Sequence, residues 1–239
     1  MTRIKVCGIT SKTDAFMCID AGVDILGFVF VGESPRKIAP EEAQRIINDI
    51  PSFVITVGIF VNRPENEVVK IAELCKLDRL QLHGEESPQY CASFNRKIIK
   101  AFRIRSSDDL TVIPGYKVSG YLLDSYEEER AGGTGRTFEW SLAQEATKFG
   151  PIILAGGLTP ENVNRAISIV RPYAVDVSTG VEEKDTPGKK NKIKLTEFIR
   201  QVQNADSDII IADKAKKLFE WEGEEVREKK GGFLFWKKK

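Results

Sequence analysis

Short apolar runs recur along the chain, and stretches with helical spacing separate them. Runs at residues 4–7, 25–30, 54–61, 79–83, 98–102, 121–124, 152–155 and 174–178 read as eight strands. Between them, Pro40-Glu-Glu-Ala-Gln-Arg-Ile-Ile47 opens on proline and two acids, as helix starts do. Pro64-Glu-Asn-Glu-Val68 repeats that grammar, and Val68, Ile71 and Leu74 continue it at helical spacing. Thr159 offers a cap and Pro160 a first turn for a helix over 159–167. Only 106–110 is too short for more than one or two turns.

Eight strands alternating with helices in about 200 residues predict an α/β fold, a (β/α)8 TIM barrel. The competing architecture is a doubly wound open sheet. In the fourth run Arg79, Gln81 and His83 share one face, and Leu80 and Leu82 share the other. A strand buried on both faces of an open sheet is more uniformly apolar, which favours the barrel. Past about residue 200 the pattern changes. Residues 206–230 read as a charged helix that Gly231 and Gly232 stop, and Phe233-Leu-Phe-Trp236 and three lysines follow. The expected division is a barrel domain over 1–203 and an additional C-terminal helical tail over 204–239. The tail is read as a helix packed on the barrel, a docking segment for a partner or an anionic membrane surface, or a fusion remnant.

Composition narrows the class. Lys and Arg number 36 against 35 Asp and Glu, so no global basic field favours nucleic acid. Cys7, Cys18, Cys75 and Cys91 form no C-x-x-C pair. The lone histidine, His83, leaves no multi-histidine metal site. No apolar run spans a bilayer and no charged-then-apolar leader precedes the first strand, so a reduced cytoplasmic protein is expected.

The chemistry sits at strand ends. Cys7 closes the first run and Asp124 the sixth, where barrels of this kind place catalytic groups. A thiol and a carboxylate across one pocket make a base and acid pair. Cys7 as an inert buried thiol and Asp124 as a cap are the bland alternatives. Gly156-Gly157 and Ser178-Thr179-Gly180 follow the seventh and eighth runs, the loop pair that holds phosphate in many barrels. Gly132-Gly-Thr-Gly135 lacks phosphate-loop spacing and reads as a lid. Arg36, beside Pro35, is a fork for a planar carboxylate or an ordinary surface arginine.

Taken in order, Lys5-Val-Cys-Gly-Ile-Thr10, Gly27-Phe-Val-Phe30 with Ser34-Pro-Arg36, Val57-Gly-Ile-Phe-Val-Asn62 and Leu80-Gln-Leu-His-Gly84 resemble the phosphoribosylanthranilate isomerases of tryptophan biosynthesis. Leu122-Leu-Asp124, Leu154-Ala-Gly-Gly-Leu-Thr-Pro160 and Val175-Asp-Val-Ser-Thr-Gly-Val-Glu182 continue the resemblance over roughly residues 3–201. The resemblance implies a barrel and a cofactor-free, metal-free Amadori rearrangement of a small phosphoribosyl substrate; whether the chain works as a monomer or homodimer stays open. It implies Cys7 as general base and Asp124 as general acid. Arg36 then holds the anthranilate carboxylate, and Gly156, Gly157, Ser178, Thr179 and Gly180 hold phosphate. Gln81 and His83 line the substrate pocket. Cys7 then needs a lowered pKa and Asp124 a raised one. Lys5, two residues before Cys7, either assists it or pairs inside the barrel with Asp176.

Lys190-Asn191 departs from the lysine–aspartate pair more usual in that family, and the tail is an addition to it. Another phosphosugar aldose–ketose isomerase is the nearest rival function, though many of those use two carboxylates or a metal. A phospho-ligand-binding barrel without catalysis is the second. The related rearrangement of histidine synthesis, on a substrate with two phosphates, stays open as a second specificity.

Overall fold

The structure, a computed structural model, describes residues 1–125 and 140–232, so the lid expected at 132–135 lies outside the described residues. Eight parallel strands close on themselves in chain order: β1 (Arg3–Cys7), β2 (Ile25–Val29), β3 (Ile55–Phe60), β4 (Arg79–Leu82), β5 (Lys97–Ile104), β6 (Gly120–Ser125), β7 (Ile152–Leu154) and β8 (Ala174–Val177). The barrel reading holds and the open sheet does not. Closure joins β1 to β8 with Lys5 beside Asp176.

The helices are α1 (Lys12–Asp20), α2 (Pro40–Asn48), α3 (Glu65–Leu74), α4 (Pro88–Ala92), α5 (Trp140–Ala146), α6 (Val163–Val170) and α7 (Lys192–Gly232). Ser11 caps α1 by accepting from the Asp14 N–H, and Ser87 caps α4 through Tyr90. Between β5 and β6 the chain makes only two short 3₁₀ turns, Ser107–Leu110 and Ile113–Gly115, as the brief link predicts. One boundary differs. The helix expected from Thr159 starts at Val163, because Thr159 is spent on a preceding turn where its hydroxyl accepts from the Glu161 N–H.

The period of two along each strand sorts the side chains. Ile25, Val57, Ile99, Ala101, Leu122, Ile153, Ala155 and Ala174 fill the barrel interior. The alternate positions, among them Val6, Leu26, Phe28, Leu80, Leu82, Leu123 and Val175, pack outward against the helices. Burying such an apolar side chain stabilises the fold by about 1.5–3 kcal/mol. At the carboxyl ends of the strands the same alternation turns polar side chains towards the mouth of the barrel.

The charged helix expected at 206–230 is the later part of α7, which begins at Lys192. Its middle turns pack on the barrel: Val202 and Ala205 are buried, and Ile209 packs against the core. Asp206 accepts the Thr2 N–H and hydroxyl, both at 2.7 Å, and Asp213 pairs with Arg171 through two contacts of 3.0 Å. Among the described residues no helix is long and apolar enough to cross a membrane.

Candidate active site

A cavity of about 920 Å³ opens at the carboxyl ends of the strands. It is lined by every side chain singled out above at this end of the barrel: Cys7, Arg36, Gln81, His83, Asp124, Gly156, Gly157, Ser178, Thr179 and Gly180. Alternation puts them there. Lys5 and Cys7 share the inner face of β1, Leu122 and Asp124 that of β6, and Ala174 and Asp176 that of β8.

Below Cys7 lies a buried ion pair. Lys5 is fully buried, and its Nζ stands 2.8 Å from Asp176 Oδ2. Burial pushes the Cys7 thiol up, against the pull of Lys5 and Lys190, so the lowered pKa expected for a general base is not what the free protein provides. Burial disfavours the charged forms of Lys5 and Asp176 as well. Each offsets that for the other, but the Asp176 carboxyl still ends above its usual range. Asp176 Oδ1, buried beside the cavity, has no hydrogen-bond partner among the described residues.

Across the cavity Gln81 Nε2 donates to His83 Nδ1 at 2.8 Å, and His83 Nε2 stands 3.3 Å from Asp124 Oδ2. With the amide nitrogen as donor, Nδ1 accepts and the imidazole proton sits on Nε2, facing Asp124. Gln81 Oε1 is the second buried acceptor without a partner. Both unpartnered oxygens therefore belong to residues that line the same cavity.

Arg36 is held rather than loose. Its Nε and Nη2 donate to Glu182 at 2.8 and 2.7 Å, and Nη2 also reaches Thr179 Oγ1 at 3.1 Å. Gly8 makes room for it: a Cβ there would meet Arg36 Cδ at 2.7 Å, and φ is +78°. Fully buried Lys190 donates to Glu182 Oε1 at 2.9 Å and to the Cys7 carbonyl at 2.7 Å. Burial alone would raise the Glu182 carboxyl, but Arg36 and Lys190 hold it down at about 2. The Ser178 hydroxyl donates to that same Cys7 carbonyl.

The loops after β7 and β8 form a cradle. Gly156 and Gly157 adopt φ of +83° and +61°. A Cβ at Gly180 would meet the Leu158 carbonyl oxygen at 2.0 Å, so the two loops touch through backbone. Asn162 braces the first loop, accepting from the Thr159 N–H and donating to the Gly157 carbonyl, both at 2.8 Å. The opposite wall, Val29, Val31, Ile59 and Val61, is apolar.

Three residues of this site escaped the sequence reading. Glu182 lay in a matched stretch with no role assigned, Lys190 was seen only as part of a departure, and Lys194 went unnoticed although it lines the cavity and donates to the Glu182 carbonyl at 2.8 Å. The usable signal was a charge pair eight residues apart flanking Pro187-Gly188, which the structure brings together as an antiparallel bridge.

Known proteins resemble this chain in sequence and fold. The family model for N-(5'-phosphoribosyl)anthranilate isomerase matches residues 4–201. A relative of that name from Geobacter metallireducens is 52% identical over 203 residues, 85% of this chain and all of the relative. One from Trichlorobacter lovleyi is 52% identical over 206 residues, 86% of this chain and all of the relative. The phosphoribosyl anthranilate isomerase structure from Thermotoga maritima superposes with a TM-score of 0.80 at 40% identity, covering 85% of this chain and all of its own. A phosphoribosyl anthranilate isomerase in complex with reduced 1-(o-carboxyphenylamino)-1-deoxyribulose 5-phosphate superposes with a TM-score of 0.76 at 38% identity, with the same coverage. The chain belongs to the N-(5'-phosphoribosyl)anthranilate isomerase family.

Proposed function

We infer that this chain converts N-(5-phosphoribosyl)anthranilate into 1-(2-carboxyphenylamino)-1-deoxyribulose 5-phosphate in tryptophan biosynthesis, by general acid and base catalysis. One observation carries the reading: Cys7 and Asp124, from β1 and β6, face one cavity that also holds the glycine cradle. Residues 1–203 form the catalytic domain, and 204–239 an extension whose first turns clasp it. The working unit is a monomer or homodimer in the cytoplasm. A monomeric form generated from the dimeric Thermotoga maritima isomerase, 37% identical to this chain, supports both states.

The phosphate docks on Gly156, Gly157, Ser178, Thr179 and Gly180, and the aromatic ring lies on the valine and isoleucine wall. Arg36 keeps Nη1 without a partner among the described residues and offers it to the anthranilate carboxylate. Asp124 protonates the ribose ring oxygen. The C1–O bond breaks, and the nitrogen lone pair forms a C1=N iminium. Cys7, as thiolate, takes the C2 proton. The C2–H pair becomes the C1=C2 bond, and the iminium π pair returns to nitrogen. The enolamine then loses its hydroxyl proton and gains one at C1, giving the ketone. Because burial favours the neutral thiol, Cys7 releases its proton to solvent in the open cavity as the cationic iminium forms beside it. His83 holds Asp124 by Oδ2. Gln81 Oε1 and Asp176 Oδ1 accept from substrate hydroxyls, which removes the cost of leaving buried acceptors unpaired, roughly 1–3 kcal/mol each.

The test is the loss of anthranilate-type fluorescence when purified protein meets fresh phosphoribosylanthranilate, beside Asp124→Asn. Rapid decay abolished in the variant supports the reading. Decay no faster than the spontaneous background sinks it.

A further inference from the structure

The barrel mouth contains a second loop pair built like the phosphate cradle, half a turn away. In a closed ring of eight strands, β3 and β4 stand opposite β7 and β8. The residue two past β7 is Gly156, with φ of +83°; two past β3 is Asn62, with φ of +46°, rare for a side-chain-bearing residue. Two past β8 is Thr179, followed by Gly180; two past β4 is Gly84. In each pair a glycine of the second loop lies hard against the first, on backbone in one case and chiefly on a side chain in the other. A Cβ on Gly180 would strike the loop after β7 at 2.0 Å, and one on Gly84 would strike Asn62 Oδ1 at 2.3 Å.

The difference lies in what the backbone donors hold. In the loops after β3 and β4, Asn62 N–H and Gly84 N–H both donate to the carboxylate of Glu86, each at 2.9 Å. Glu86 is buried, and so is its counter-ion Lys100, at 3.1 Å. Lys100 also donates to the carbonyls of Gly84 and Ala101 at 2.7 and 2.9 Å. A cavity of about 350 Å³ lies beside this cluster, lined by Gly84 and Lys100 with Arg103 and Arg105 and by the acids Glu85 and Asp109. Convergent backbone N–H groups with a buried cation form an anion site, and here the anion is the chain's own side chain.

We propose that Glu86 is a specificity-determining residue: its carboxylate fills an anion nest equivalent to the phosphate cradle and bars a second phosphate group from the mouth of the barrel. This rests on the proposed phosphate role of the loops after β7 and β8. It deepens that reading by restricting the substrate to a single phosphate, against the two-phosphate rearrangement. A free anion entering the nest would have to displace a covalently tethered one and leave Glu86 buried without its donors.

The experiment measures binding of radiolabelled inorganic phosphate by equilibrium dialysis, with and without saturating reduced product analogue. The parent is expected to bind one equivalent, which the analogue displaces. Glu86→Ala is expected to bind a second equivalent that survives the analogue, at least tenfold more tightly than any residual binding by the parent. Its melting temperature is expected to rise several degrees more than the parent's on replacing chloride with phosphate at equal ionic strength. Should Glu86→Ala fold poorly, Glu86→Ser, which keeps one acceptor for the nest, serves in its place. A second equivalent on the parent with Glu86 present overturns the proposal. So does a folded Glu86 variant that gains neither phosphate nor phosphate-dependent stability. Phosphate that binds the parent but is not displaced by the analogue, or no binding at all, overturns the cradle reading itself and the proposal with it.

Discussion

Two buried lysines show how differently one barrel treats the same problem. Lys100 donates to three carbonyls and the Glu86 carboxylate, whose oxygens take two further backbone N–H groups, so both charged side chains of the pair are satisfied. Lys5 has one carboxylate, Asp176, and that carboxylate keeps a bare buried oxygen. The complete network locks the loops of β3 to β5. The incomplete one lies under Cys7 in the cavity wall. A buried group left unsatisfied is costly, so its place tells where a ligand supplies the missing partner.

The comparison breaks first at the reacting groups. Asp124→Asn and Cys7→Ala are expected to lower kcat by 10²–10⁴-fold with the fold intact, read by fluorescence turnover and circular dichroism. Next come the lysines. Removing one partner of a buried pair costs about 3–5 kcal/mol, so Lys100→Met and Lys5→Met should both lower the urea midpoint. Only Lys5→Met should also lower kcat per folded molecule; equal kcat in the two variants would erase the distinction. Arg36→Ala is expected to raise KM by 10–100-fold with a smaller change in kcat, about 1.4–3 kcal/mol of lost charge-assisted bonding.

Acid sharpens the comparison from another side. Glu182 is held down at about 2 in the folded chain, against 4.5 as its ordinary value. A depressed carboxyl contributes stability above its unfolded pKa and loses it as pH falls towards the folded one. About 3 kcal/mol should therefore fade between roughly pH 4.5 and pH 2, and Glu182→Gln should flatten that limb in urea melts. The smallest effect is expected from trimming the chain after Lys214. That cut keeps the Arg171–Asp213 pair, itself about half exposed and worth under about 1 kcal/mol, and removes only turns beyond it, so the melting temperature should hardly move.

Much of this was legible in the sequence. Eight apolar runs of strand length gave the barrel, and alternation in Arg79-Leu-Gln-Leu-His83 put Gln81 and His83 on the face that meets the cavity. The thiol, the carboxylate and the glycine loops stand at strand ends, where local pattern and fold rule agree. The Glu182–Lys190–Arg36 clamp was not legible, because it forms between a loop after β2 and a bridge after β8, 146 residues apart. The direction of the Cys7 shift failed for a related reason. Nearby Lys5 was visible in sequence, but the enclosure of the half-buried thiol is a property of closure, and desolvation outweighs the lysine. The start of α6 failed locally, where the side chain of Thr159 caps a turn instead of a helix.

The clasp between Thr2 and Asp206 has a consequence for how the molecule is made. It joins positions 204 residues apart, and the neighbouring Lys5–Asp176 contact spans 171. A chain emerging from the ribosome amino-end first must hold β1 with an edge unpaired until β8 has been made. Barrel closure is thus a late step of synthesis, and contacts this distant in sequence favour slow refolding as well. Until then the nascent first strand is an exposed edge that chaperones and aggregation compete for, and the arrival of β8 is what ends the competition.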